Sequence, residues 1–435
     1  DYYSGAILGN GLLGVNIFAD NEKSVYRWNI GRSDVTENRK DGHVLYDKAR
    51  LPIGGFKLCV KGNVVSEDMS LSLWNATVNG NLTTDKGKID FKTFVDANND
   101  IIVVETKTES SEIIKWVWSP DEAVSPRTKF VYTHSGIPKE YIENPNPPIE
   151  IFIDEDIHYS IQKLYSGWVY VVAWITQNNN DLQRTYITVA YKQGSDEAVK
   201  EAKDILKSYL KDDIAIHEQN HKQWWHNYYP ASYANFPNSK MESFYWIQQY
   251  KFACLTRPDK NIIDLMGPWT NRTPWPAIWW NLNIQLTYSP LFTANRMDLS
   301  KPLWNAFEKN LQSLIDNVIV EEWKADAASI GRSSSYDLAR QLDPVLAEIN
   351  QYEVGNLTWA LFYYWQYCVY SADDNELVEK FYPLLKRSIA YYSHIIYKGD
   401  DGKYHLPLTA SPEYKPAKDC NYDLALLRWG LITLL

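Results

Sequence analysis

The chain has 435 residues, with 44 Lys and Arg against 54 Asp and Glu, a net charge of −10 and a pI near 5.4. That length allows about two to three domains, each able to bury a core. An acidic chain with no basic run gives a phosphate backbone nothing to bind, which argues against nucleic acid, and no apolar stretch approaches the roughly 18 residues of a membrane span.

Residues 1–194 read as β and predict a large antiparallel sandwich. Ile101–Thr108, Ile113–Trp118, Trp168–Ile175 and Tyr186–Tyr191 are rich in β-branched and aromatic residues, often alternating. Asp41-Gly42, Asn79-Gly80-Asn81 and Ala97-Asn-Asn-Asp100 read as turns between strands, and Asn144-Pro-Asn-Pro-Pro148 as an exposed loop. From Ser195 the period becomes helical; Ser195 is positioned to cap the first helix, whose early acids suit its dipole. Further helices are expected at about 213–227, 239–257, 301–318, 355–371, 374–397 and 421–435. The last ends in Leu431-Ile-Thr-Leu-Leu435, apolar and uncapped, so the sequence reads as continuing past Leu435.

Cys59, Cys254, Cys368 and Cys420 show no C-x-x-C spacing, so free thiols are expected and no zinc or redox site. His217, His221 and His226 lack the carboxylate of an H-E-x-x-H pattern and read as a packed or solvated helix rather than a metal site. No metal and no cofactor is expected. Asn75, Asn81, Asn271 and Asn356 lie in N-x-[ST] sequons, about as many as an Asn-rich chain shows by chance. Asp1 opens the chain without Met or a signal-like segment.

Two segments carry chemistry. Asn281 and Asn283 lie in a stretch rich in Trp and Pro, and Leu408-Thr-Ala-Ser-Pro-Glu413 follows about 130 residues later. Short amides that hold a water, with a lone acid after a Ser-Pro turn, are what a sugar-cleaving site needs. An acid that stays protonated near neutrality calls for apolar surroundings. Each residue also has a plainer reading. Glu413 suits a helix N-terminus. Asn281 and Asn283 suit loop capping, and they reach one site only if the segment is extended or begins a helix. Trp275, Trp279 and Trp280 are either walls of sugar subsites or core. Arg272 and Arg332 are candidate hydroxyl binders. Asp419 and Asp423 are possible bases, although their place before and within the last helix suits capping.

In order and spacing, several motifs resemble glycoside hydrolase family 95, the α-L-fucosidase type with a β-sandwich ahead of an (α/α)6 barrel. They are Ala6-Ile-Leu-Gly-Asn-Gly-Leu-Leu-Gly14, His221-Lys-Gln-Trp-Trp225, Asn281-Leu-Asn283, Gly355-Asn-Leu-Thr-Trp359, Tyr370-Ser-Ala-Asp373, Phe381-Tyr-Pro-Leu-Leu385 and Ser411-Pro-Glu413. The resemblance implies a β + α multidomain fold: sandwich 1–194, linker 195–236, and the first part of an incomplete barrel over 237–435. It implies an inverting exo-glycosidase acting on an oligosaccharide or polysaccharide with a terminal α-linked sugar, fucose or L-galactose-like, in a secreted or periplasmic setting. Glu413 matches the general acid, and Asn281 and Asn283 match the amides that assist the base water. The base itself, an aspartate, is expected beyond Leu435. The chain departs from the family at Ala325–Ser335, which has no histidine, and at Asn29-Ile-Gly-Arg-Ser-Asp34. An inverting phosphorylase and a non-catalytic carbohydrate-binding protein are the alternatives.

Overall fold

A computed structural model describes residues 1–20, 26–40, 42–109, 111–130, 136–179, 181–269, 273–347, 349 and 351–435. The chain divides into two compact units, residues 1–260 with 266–276, and residues 261–265 with 277–435.

The strands of the first unit are β1 (Ala6–Gly9), β2 (Leu13–Ala19), β3 (Tyr26–Arg32), β4 (Gly54–Val60), β5 (Val64–Ser72), β6 (Thr77–Thr84), β7 (Gly87–Val95), β8 (Ile102–Thr108), β9 (Ile114–Pro120), β10 (Glu150–Asp154), β11 (Ile157–Lys163), β12 (Trp168–Asn179) and β13 (Leu182–Gln193). They form two antiparallel sheets, ordered β1-β2-β3-β4-β9 and β10-β11-β12-β13-β8-β7-β6-β5. Strand alternation sends Tyr26, Trp28 and Ile30 inward, where they meet Val78, Leu82, Ile89 and Val104 of the second sheet in one core. Fully burying one such side chain contributes about 1.5–3 kcal/mol. The indole N–H of Trp28 is satisfied across the core by Thr93 Oγ1 at 2.9 Å.

Two local expectations change here. Asn79-Gly80-Asn81 is not a turn but the middle of β6. Gly80 is required there because the Phe91 ring of β7 crosses it, and an added Cβ would lie 2.2 Å from the ring. Asp41 of the other expected turn lies outside the described residues. Helix α1 (Lys139–Glu143) is short; α2 (Ser195–Tyr209) lays Ala198, Ala202, Leu206 and Tyr209 against the second sheet. Ser195 is its first helical residue and not its cap, since Gly194, at φ 94°, turns the chain in. Helix α3 (Ile214–Tyr228) is capped by Asp213 and α4 (Ser239–Leu255) by Asn238, each through its side-chain oxygen.

The second unit contains α5 (Asn283–Tyr288), α6 (Pro290–Thr293), α7 (Lys301–Lys309), α8 (Leu311–Asp316), α9 (Asn356–Ser371), α10 (Tyr382–Ile395) and α11 (Asn421–Leu434). Two-residue strand pairs join β14 (Ile278–Trp279) to β15 (Ser333–Ser334), β16 (Tyr397–Lys398) to β17 (Tyr404–His405), and β18 (Thr409–Ala410) to β19 (Pro416–Ala417). Leu357, Ala360, Leu361, Tyr364 and Cys368 form the buried stripe of α9, with Trp304 stacked on Tyr364 at 4.5 Å. The helix expected over 301–318 is broken at Asn310 (φ −113°, ψ 27°). The one expected over 374–397 enters through a π turn, Glu376–Phe381, because Pro383 can donate no hydrogen bond in the first turn of α10.

Candidate active site

In the second unit the short β14–β15 ladder sets the first two side chains. Trp280 N donates to Arg332 O at 2.8 Å, so Asn281 leaves one strand where Arg332 enters the other. Both reach the same carboxylate. Arg332 Nη2 donates to Glu353 Oε1 at 2.6 Å and Nε to Oε2 at 3.2 Å, a bidentate pair. Asn281 Nδ2 adds a bond to Oε1 at 3.2 Å, and Asn356 Nδ2 one to Oε2 at 3.3 Å. Because a carboxylate only accepts, it fixes which end of each amide faces it. Glu353 is fully buried and Arg332 keeps 22% of its side chain exposed; desolvation, with like-charge repulsion from Arg332 added, holds the Arg340 guanidinium below its usual range. Four donors on one carboxylate make Glu353 a clamp that fixes the side chains around it.

The same corner holds a second buried acid, Asp423 of α11. Thr409 Oγ1 donates to its Oδ2 at 2.6 Å and Tyr392 Oη to its Oδ1 at 2.9 Å, and the Gly355 N–H ahead of α9 adds a third bond. Burial pushes its carboxyl up to about 6 against these three donors, with Glu353 adding like-charge repulsion. The unfolded chain releases this proton near 3.8, whereas the fold keeps it until about 6. Between these values the native state binds more protons, so this group makes stability fall as pH rises, by roughly 3 kcal/mol in total. Asp423→Asn is therefore expected to gain stability over the parent from pH 4 to pH 6. Urea unfolding at the two pH values checks it, and an unchanged difference would contradict the assignment.

Glu413 lies between β18 and β19. Tyr414 N donates to Ser411 O at 3.0 Å, closing a turn with Pro412 at its second position and Glu413 at its third. Glu413 holds φ 54°, the left-handed region that the third position of a type II turn takes and that glycine or asparagine usually fills. A glutamate there costs about 1 kcal/mol, and it is exposed, without the apolar surroundings expected of the acid, because the tip of a surface turn packs against nothing that would enclose it. The turn is tied to the clamp through the backbone, since Ala410 N donates to Tyr352 O at 2.9 Å, next to Glu353.

The structure thus brings Asn281 and Arg332 onto one carboxylate and carries the Ser-Pro-Glu turn to a strand bonded beside it. Asn283 begins α5 and is exposed, whereas Asn281 is 1% exposed, so the two amides have different surroundings. Trp279 is half-buried on β14. Trp280 is core and not a sugar wall: it is fully buried, with its indole N–H on Ser334 Oγ at 2.8 Å and no face left to stack. Trp275 belongs to the first unit and is 48% exposed; Arg272 lies outside the described residues. Asp419 and Asp423 do not cap α11, whose cap position is Cys420; Asp419 instead accepts from Leu406 N and pairs with His405. That pairing holds the His405 imidazole above its usual range. In the first unit His217 and His221 are buried against the carbonyls of Tyr209 and Asn75, and His226 stacks on Trp74. Among the described residues no three His, Cys, Asp or Glu groups gather as for a metal. The sequence reading missed Glu353. The available signal was an acid in Tyr352-Glu-Val-Gly-Asn356, just ahead of an apolar helix.

The glycosyl hydrolase family 95 catalytic domain matches residues 203–426. Alpha-L-fucosidase 2 of Arabidopsis thaliana is 24% identical over 212 residues, which are 44% of this chain and 24% of that protein. Among solved structures, a human-microbiome protein assigned provisionally as a kojibiose phosphorylase is similar at a TM-score of 0.67 and 12% identity, over 98% of this chain and 60% of its own. A bacterial glucoamylase complexed with acarbose gives a TM-score of 0.49 at 10% identity, over 99% and 70%. The match with the plant protein spans about a quarter of its length, and the phosphorylase likeness is one of fold alone.

Proposed function

The chain belongs to glycosyl hydrolase family 95, and on that premise we propose that it forms part of an inverting exo-glycosidase. Its substrate is an oligosaccharide or polysaccharide ending in an α-linked sugar, fucose or L-galactose-like, met in a secreted or periplasmic setting. Among the described residues no helix is long and apolar enough to cross a membrane. The helices of the second unit, α5 to α11, are proposed to belong to an (α/α)6 barrel.

Glu413 is the proposed general acid. The observation that supports this role is its place on the Ser-Pro turn, whose preceding strand is bonded beside Glu353, with an exposed side chain on a left-handed backbone. In the reaction a water oxygen attacks the anomeric carbon from the face opposite the leaving group. As the glycosidic bond breaks, Glu413 gives its proton to the departing oxygen and a base takes one from the water. Asn283 and Asn281 are proposed to orient that water, with Asn281 set by Glu353. Trp279 and Arg332 are proposed to meet the sugar. Neither Asp419, paired with His405, nor Asp423, enclosed by Thr409 and Tyr392, suits the base. Among the described residues we assign no base.

The competing reading is an inverting phosphorylase, in which phosphate takes the place of water. Full-length protein in phosphate-free buffer is expected to release free sugar at a rate that added phosphate does not raise. Turnover only with phosphate, giving a sugar 1-phosphate, would overturn hydrolysis.

A further inference from the structure

The outer face of the five-stranded sheet bears side chains that neither the core nor the proposed site uses. Strand alternation that sends Tyr26, Trp28 and Ile30 inward puts Arg27 and Asn29 outside. Register then lines Phe18 of β2, Arg27 of β3 and Lys57 of β4 in one cross-strand row. Such a face is ordinarily flat and wet. Here the loops around Tyr2, Pro52 and Pro120–Pro126 rise about it and leave a cleft of about 870 Å³. Within it the Arg27 and Lys57 side chains are only 16% and 24% exposed.

Each cation faces an acceptor, Arg27 and Lys57 within the cleft and Lys129 at its exposed rim. Arg27 donates through Nη2 to Asp121 at 3.0 Å and through Nε to Asn29 at 3.2 Å. Lys57 lies 3.4 Å from Asp20, and Lys129 at the rim 2.8 Å from Glu122. Arg27 approaches this closely because Gly55 lies beside it: a Cβ there would meet the guanidinium Nε at 2.9 Å. One wall is aromatic, with Tyr2 edge-on to Phe18 at 5.6 Å. Burial pushes the Tyr2 phenol up to about 12, so it remains a donor.

We infer that this cleft binds a neutral oligosaccharide, apart from the proposed catalytic unit. Among the described residues three cations face three carboxylates, a balance that favours a neutral ligand over a phosphate or a polyanion. Fixed donors and acceptors side by side suit vicinal hydroxyls, which both donate and accept. An aromatic wall takes the C–H face of a pyranose, and the volume suits two or three sugar units. The inference shares with the hydrolase reading only the expectation of a carbohydrate ligand.

The test is calorimetric titration of the full-length protein with cellotriose, maltotriose and a trisaccharide ending in α-linked fucose. At least one is expected to bind. Arg27→Met with Asp121→Asn should weaken it by about tenfold or more, and so should Lys57→Gln, the milder change that keeps the fold. Hydrolysis of a small aryl glycoside should stay within about twofold of the parent. Undiminished binding in both variants, or no binding by any of the three sugars, would overturn the cleft. If binding is lost in the variants of a protein that hydrolyses nothing, the cleft stands and the hydrolase reading fails.

Discussion

Replacing Glu413 by glutamine in the full-length protein is expected to lower kcat on natural oligosaccharides by about 10²–10⁴-fold, the usual contribution of a positioned general acid. Glutamine keeps the size of the side chain and the turn but has no proton to give. The loss should therefore depend on the leaving group. Fluoride or nitrophenolate leaves without protonation, so a glycosyl fluoride or a nitrophenyl glycoside should react at close to the parent rate. Stability should not change, because Glu413 is exposed and at φ 54° both residues bear the same backbone cost. Equal loss on activated and natural substrates would remove Glu413 from the acid role.

The second large effect belongs to Glu353. Truncating it to alanine leaves Arg332, Asn281 and Asn356 without their shared acceptor. Breaking a buried pair in this way costs about 3–5 kcal/mol; here about 3 is expected, because Arg332 is 22% exposed and partly solvated. Loss of activity alone would not separate a positioning role from a damaged fold. The separating variant is Glu353→Leu with Arg332→Met, which replaces the pair by apolar side chains of similar volume. Such replacements are often neutral or stabilising. Stability should return in part, since the buried Asn281 and Asn356 amides stay unpaired, while kcat stays at least about tenfold low because the sugar has lost Arg332 and the Asn281 amide its anchor. Urea unfolding and turnover on one preparation read both quantities. Recovery of activity together with stability would make Glu353 a purely structural residue.

Much of the fold is legible because its periodicities are local. Tyr26, Trp28 and Ile30 alternate as a half-buried strand must, and Asn238 and Asp213 mark helix starts by side chains that bond within three residues. Gly80 misled because its reason lies on another strand: a glycine between two asparagines has turn chemistry, and only the crossing Phe91 ring makes it a strand residue. The site divides in the same way. Ser411-Pro-Glu413 is a turn in the sequence and in the fold, and Asn281 and Arg332 are polar residues within apolar company. Their convergence is not local, since Glu353 lies 72 residues from Asn281 and 21 from Arg332. Trp280 was ambiguous for a different reason. An indole serves a core and a sugar subsite equally well until its exposure is known.

The most direct test of the account is the anomeric form of the first sugar released. Proton NMR of the full-length protein acting on an α-linked fucoside in phosphate-free buffer, read before mutarotation, distinguishes the two stereochemical courses. A general acid and a water held by amides require a single displacement, so the β anomer should appear first. The α anomer first would mean a covalent intermediate and a carboxylate nucleophile, and would contradict the roles given to Glu413, Asn281 and Asn283.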